Sequence, residues 1–197
     1  MAVLLDKNEN VRQIILDAAS ELFVAEGFGS VSMRKIARKI GYTPTTIYLY
    51  FDDKADLFNQ ICEETFAQMT RNLIAISKLS VSPLERLRLG LFEYIHFGLK
   101  HPNHYAIVFN TTSSPEPAKD FQNSQGEATF DTLRNSVSAC MADGAVVHGD
   151  VELTSQTLWA CIHGVTSLLI TQEGFPFVGR QALTESVVDT IIAGIRH

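Results

Sequence analysis

Apolar residues recur at spacings of three and four along nearly the whole chain, a pattern that leaves little room for anything but helices. Val11, Ile14, Ile15, Ala18, Ala19, Leu22 and Phe23 form one such stripe, so a first helix is expected over residues 10–26, stopped by Gly27. Ser32 is a candidate cap for a second helix over 33–40, ended by Gly41. Thr43 and Pro44 suit the cap and first position of a third, over 44–50. Asp52 or Asp53 then opens a fourth helix to about residue 77, and further helices are expected over 84–100, 103–109, 118–142, 152–172 and 180–195. Residues 110–117 read as a loop and 144–150 as a connector. The best β-like run, Ala145-Val146-Val147, is short and lies between Gly144 and Gly149. The chain reads as all-α, with about nine helices: a three-helix unit over residues 1–52 and a larger helical body over 53–197.

Charge separates the two parts. The chain has 197 residues, 46% of them apolar and 19% charged, which excludes extensive disorder. Its 16 basic and 22 acidic residues give a net charge of −6, which excludes a uniformly basic coat for polyanions. Residues 28–51 nevertheless hold Arg34, Lys35, Arg38 and Lys39 and no acid, a net +4 that leaves 12 basic against 22 acidic residues elsewhere. Spacings of one, four and five put these cations on one face of the second helix, opposite Ile36, Ala37 and Ile40. A tight turn at Gly41-Tyr42-Thr43 and a short hydroxyl- and tyrosine-bearing helix follow. This is a helix-turn-helix pattern. A third helix of about 7–8 residues, roughly 11–12 Å long, suits a major groove about 12 Å wide.

The run GYTPTTIYLYFDDKADLF resembles the DNA-binding signature of the TetR family, SMRKIARKIG resembles that family's second helix, and residues 11–28 resemble its first. The resemblance implies an operator-binding regulator, with a repressor the expected sign. Thr43, Pro44, Thr45 and Thr46 would face bases or nearby backbone, where methyl groups meet thymine methyls and hydroxyls bond base edges. Tyr48, Tyr50, Ser32, Arg34 and Lys54 would reach phosphates, the last from a helix start whose N–H groups also favour anions. Arg38 and Lys39 rank below Arg34. The family often has His where Tyr50 stands. Because the third helix lacks Arg, Lys, Asn and Gln, specificity is expected to lean on van der Waals contact and DNA shape.

In the larger body, residues 153–172 carry no Asp, Glu, Lys or Arg, so this helix is expected to be covered on more than one side. Trp159-Ala160-Cys161-Ile162-His163-Gly164 resembles the Trp-x-x-x-His-Gly motif of TetR regulators with a WHG-type ligand-binding domain, and HPNHYAIVF resembles that domain's Pro-x-x-Tyr-x-x-x-Phe segment. The resemblance implies a homodimer in which the eighth and ninth helices pair with those of a second subunit. Leu158, Ile162, Leu169, Leu183, Val187 and Ile191 are the candidate seam residues, although burial within one subunit gives the same apolar spacing. A dimer also suits two half-sites about 34–36 Å apart on duplex DNA. Candidate effector contacts are Phe92, His96, Tyr105, Phe109, Phe130, Leu133, Trp159 and His163, although Phe and Leu at helical spacing are core positions more often than ligand contacts. Sparse charge points to a small, neutral or apolar effector that tilts the fourth helix.

Other chemistry finds little support. Cys62, Cys140 and Cys161 form no CxxC, and His101 and His104 have no carboxylate or thiol at matching spacing, so no metal is expected. No Walker loop, GxGxxG or GxSxG occurs, so neither a cofactor nor an enzymatic activity is expected. The amino-terminal run has no basic segment of a signal peptide and no stretch suits a membrane span, so a soluble cytoplasmic protein is expected. The alternative is an all-α small-molecule-binding or enzymatic protein whose helix-turn-helix is not used on DNA.

Overall fold

The computed structural model describes residues 2–110, 124–172 and 174–196. Among these there is no strand, and nine α-helices follow one another: α1 Ala2–Glu26, α2 Met33–Ile40, α3 Pro44–Tyr48, α4 Lys54–Ser77, α5 Pro83–Lys100, α6 Pro102–Asn110, α7 Gln125–Ala142, α8 Val151–Thr171 and α9 Arg180–Ile195. The chain forms two compact units, Met1–Thr65 with Asn103–Lys119, and Phe66–Pro102 with Asp120–His197.

Several ends differ from the sequence reading. The first helix begins at Ala2 rather than near residue 10, because nothing in residues 2–9 breaks it: there is no Pro or Gly. α3 ends at Tyr48, two residues early. Leu49 and Tyr50 turn back through i→i−3 bonds to Thr46 O (3.3 Å) and Ile47 O (2.9 Å), which delivers Phe51 to the core. α7 starts at Gln125 behind the cap Ser124. Asn110, expected to open a loop, instead closes α6; the rest of that loop, 111–117, and the expected first turns over 118–123 lie outside the described residues. Ala145-Val146-Val147 is no strand. Val146 is buried, and the Val147 N–H donates to Ile195 O at 3.0 Å, capping a carbonyl at the end of α9.

In the amino-terminal unit, Ile15, Ala19 and Phe23 of α1 meet Ile36 and Ala37 of α2, Ile47 of α3, Leu57, Phe58 and Ile61 of α4, and Ile107 of α6. At the corner after α1, Gly27 takes φ 79°, a left-handed value that costs glycine little. A single 3-10 turn, Phe28–Ser30, follows, and Phe28 packs its ring 5.3 Å from Phe23 and 5.4 Å from Phe58, edge-on to the latter. Arg12 ties α1 to α4 by bonding Glu64 and, at 3.0 Å, Gln60 Oε1.

In the second unit, α5 packs on α7, α8 and α9, and α8 packs on α7 and α9. Leu87 and Leu91, Val137 and Cys140, Leu158, Ile162 and Val165, and Val188 and Ile192 fill the space between them. α8 tolerates its many hydroxyls because they bond its own carbonyls: Ser155 to Val151 O and Thr166 to Ile162 O, each at 2.7 Å. Asp150 caps it, accepting from the N–H groups of Glu152 (2.8 Å) and Leu153 (3.2 Å).

Ile36 has no exposed surface and sits where α2 meets α1 and α4. Ile36→Ala is expected to destabilise the amino-terminal unit by about 2–4 kcal/mol, read as a shifted midpoint in urea unfolding.

Candidate functional site

The helix-turn-helix is built by local bonds. Ser32 caps α2 by accepting from the Lys35 N–H at 3.2 Å. Gly41, at φ 72°, closes the helix: its N–H reaches Arg38 O and the Tyr42 N–H reaches Ala37 O at 3.0 Å, the paired bonds of a Schellman ending. Thr43 caps α3, its Oγ1 accepting from the Thr46 N–H at 3.3 Å and lying 3.0 Å from the Thr46 hydroxyl, while Pro44 takes the first helical position.

The four cations of α2 divide into two pairs. Lys35 bonds Glu26, and Lys39 bonds Glu21 at 2.8 Å, so both face α1. Arg34 and Arg38 are exposed and carry no ion pair among the described residues. The sequence ranked Arg38 below Arg34, yet the two sit one turn apart in the same condition. Glu21 and Glu26, a helix away, decide the difference.

The turn and α3 expose an uncharged surface. Thr43 and Thr45 are exposed, Pro44 and Thr46 half-buried, and Tyr48 is 53% exposed. Tyr50 is half-buried, with its ring packed against the core. Tyr42 and Leu49 also lie open, Leu49 at 77%, and the sequence reading missed both. The signal for Leu49 was available: Ile47 and Phe51 supply the inward face of the segment, which leaves the residue between them pointing out. Lys54 sits differently. Its ammonium donates to Phe28 O at 2.7 Å and Val31 O at 2.9 Å. The start of α4 is capped from within, Asp53 accepting from the Asp56 N–H at 2.8 Å.

A second cluster lies in the other unit. Trp159 Nε1 donates to the Tyr94 hydroxyl at 3.1 Å, and that hydroxyl lies 3.2 Å from His163 Nδ1. Trp159 stands 5.6 Å from the His163 ring and 5.8 Å from Phe130, edge-on. Arg134 lies over the Phe130 ring at 4.5 Å while bonding Glu152 at 2.6 Å and Asp131 at 2.6 Å. Its bonds hold the Glu152 carboxyl below the usual carboxylate range. Burial pushes the His163 imidazole below its ordinary value, so its neutral form is favoured. Tyr94, 6% exposed, joins these groups and was missed because a Tyr on an apolar helix face carries no distinct signal.

Of the other expected effector residues, Leu133 is half-buried on α7. Phe92 stacks under Arg88 at 4.8 Å, one turn from the exposed His96. Tyr105 and Phe109 belong to α6 and group with the amino-terminal unit, their rings 4.7 Å apart. Burial, foremost, raises the Cys62 thiol to about 12 and the Cys140 thiol to about 11, so both are protonated at neutral pH and poor nucleophiles. Among the described residues no group of three His, Cys, Asp or Glu side chains is placed to hold a metal, and no helix is long and apolar enough to cross a membrane.

Residues 15–61 match the family of bacterial regulatory proteins of the tetR type, and residues 87–191 match a tetracyclin repressor-like C-terminal domain. The chain belongs to the TetR family. It is therefore a DNA-binding transcriptional regulator. Over 188 residues it is 24% identical to the fatty acid metabolism regulator protein of Bacillus subtilis strain 168, covering 93% of this chain and 94% of that one. It is 46% identical over 55 residues to the regulator AcrR of Shigella flexneri, 28% of this chain and 26% of that one. The fold is similar to that of the transcriptional regulator FadR of Bacillus subtilis in complex with stearoyl-CoA, with a TM-score of 0.75, 21% identity and coverage of 93% and 99%.

In this TetR-family chain the candidate seam residues also divide. Leu158, Ile162 and Leu169 are buried within the subunit itself, so they support the outer surface of α8 from beneath. Leu183, Val187 and Ile191 are half-buried along α9.

The depressed His163 value has a definite sign. Its contribution to stability is complete above the unfolded value near 6.5 and is lost as the pH falls through the lowered folded one. Thermal unfolding between pH 8 and pH 5 is expected to show this acid-side loss in the wild type and a smaller one in His163→Gln.

Proposed function

We propose that the chain is a repressor that grips operator DNA as a homodimer and lets go when an apolar effector enters the aromatic cluster of each subunit. The observation that carries the DNA reading is the pair Arg34 and Arg38, left without acidic partners among the described residues beside the uncharged, exposed surface of α3. Residues 1–52 serve as the reading domain and 53–197 as the effector and dimerisation domain. Arg34 and Arg38 take phosphates, with Ser32, Tyr48 and Tyr50 beside them. Thr43, Pro44, Thr45, Thr46 and Leu49 meet base edges, thymine methyls above all. The protein works in the cytoplasm, where its DNA is.

For the seam, the outer faces of α8 and α9 are favoured. Thr157, Ala160 and Leu168 on one, and Ala182, Ser186 and Ala193 on the other, are exposed and uncharged. A Cβ built on Gly164 or Gly194 meets nothing within 4 Å, so a second helix has room to approach closely.

For the effector, Tyr94, Phe130, Trp159 and His163 offer aromatic surface and a few polar atoms, and Arg134 is already neutralised by two acids. That composition favours a long apolar chain with a small polar group. The relative solved with stearoyl-CoA supports a fatty acyl thioester as the first probe. Binding there is proposed to shift α4, which continues from Lys54 to Ser77, and with it the reading helices.

The test is fluorescence anisotropy with the duplex upstream of the chain's own gene. Stearoyl-CoA is expected to weaken binding by about 5–150-fold and coenzyme A alone to leave it unchanged. Equal affinity at saturating stearoyl-CoA would remove the acyl thioester from the proposal. Ala160→Glu is expected to give monomers in sedimentation and to lose tight binding. In a KCl series, Arg34→Ala or Arg38→Ala is expected to flatten the slope of log K against log salt by about 0.9 for each phosphate no longer neutralised, roughly 1.8 per dimer. Lys35→Ala and Lys39→Ala, which break ion pairs to α1, are expected to leave that slope in place.

A further inference from the structure

A lysine at the start of α4 is read from sequence as a phosphate contact, but the surroundings of Lys54 point inward. Its Nζ donates to Phe28 O at 2.7 Å and to Val31 O at 2.9 Å, and lies 4.1 Å from the centroid of the Phe28 ring. Two of its three ammonium donors are thus committed to the backbone. Phe28 opens the 3-10 turn after α1, and Val31 immediately precedes Ser32, the cap of α2. The Val31 N–H also bonds Phe28 O, at 3.4 Å. One turn further along α4, the Phe58 ring meets the same Phe28 edge-on at 5.4 Å. α4 therefore holds the corner before α2 at two points, one apolar and one charged.

We infer that Lys54 is a positioning residue, tying the first turn of α4 to the corner that launches α2, so that the orientation of the α2–α3 pair follows α4. This rests on the proposed reading surface and adds the part that aims it. The ammonium supplies two charge-assisted bonds to carbonyls and lies against an aromatic face, and a reach outward to a phosphate would give up all three. Arg34 and Arg38 supply charge to DNA while Lys54 supplies geometry.

The inference is tested first without DNA. Lysine ammonium groups held by protein acceptors give slowly exchanging proton–nitrogen signals at low temperature, and the Lys54 signal is identified by its loss in Lys54→Arg. The signal is expected in the free protein and is expected to stay in place when the upstream duplex is added to saturation. A Lys54 signal that is absent from the free protein, or that moves on adding the duplex, overturns the inference. The second measurement is the KCl series. Lys54→Met is expected to weaken binding by about 10-fold at every salt concentration, as removal of a charge-assisted bond does, with the slope unchanged and most of the affinity restored in Lys54→Arg. A slope flattened by about 1.8 per dimer identifies a phosphate contact and overturns it, as does unchanged affinity. Should the wild type bind no duplex, the proposed reading surface fails while the free-protein signal still decides the clamp; should Lys54→Met not fold, that signal and Lys54→Arg decide it.

Discussion

Three phenylalanine rings at one corner carry the geometry of the amino-terminal unit. Phe28 follows the Gly27 turn and is held between Phe23 of α1 and Phe58 of α4. Aromatic rings bury large areas and prefer tilted or edge-on contact, so they fix direction as well as energy. From that corner the chain has only Val31 and Ser32 before α2 begins, and α2 and α3 are joined by a turn that Gly41 and Thr43 determine. With so few free dihedrals between them, the reading surface is aimed by packing that lies behind it.

Charge is then distributed on this scaffold. The acidic excess of the chain makes any cation near α1 subject to capture, and Glu21 and Glu26 take Lys39 and Lys35. The arginines escape because their positions on α2 turn them away from α1. The separation leaves two guanidiniums, which suit phosphate oxygens better than an ammonium does. In the other unit the reverse holds. Arg134 is surrounded by Asp131, Glu152 and the Phe130 ring, and the neighbouring cluster is kept free of net charge.

Most helix limits were legible because caps and stops are local. Ser32, Gly41, Thr43 and Pro44 announce themselves within four residues of the boundary they set. The length of α3 was not legible, since it ends early only because Phe51 must reach the core. The sorting of Lys35 and Lys39 from Arg34 and Arg38 depends on acids nine and eighteen residues upstream of the lysines, on another helix. Leu158, Ile162 and Leu169 looked like seam residues because an apolar stripe does not reveal whether the subunit or its partner covers it. Tyr94 was silent because its partners, Trp159 and His163, stand 65 and 69 residues away in sequence.

The central claim is that α3 enters the major groove of an operator as one of two matched copies. It is tested most directly by attaching an iron chelate to Leu49→Cys, at the exposed end of α3, and mapping where it cuts the upstream duplex. The account predicts two clusters of cuts staggered across the major groove, with centres about one helical turn, 34–36 Å, or a multiple of it apart. A single cluster, cuts centred on the minor groove, or cleavage spread evenly along the duplex would contradict it.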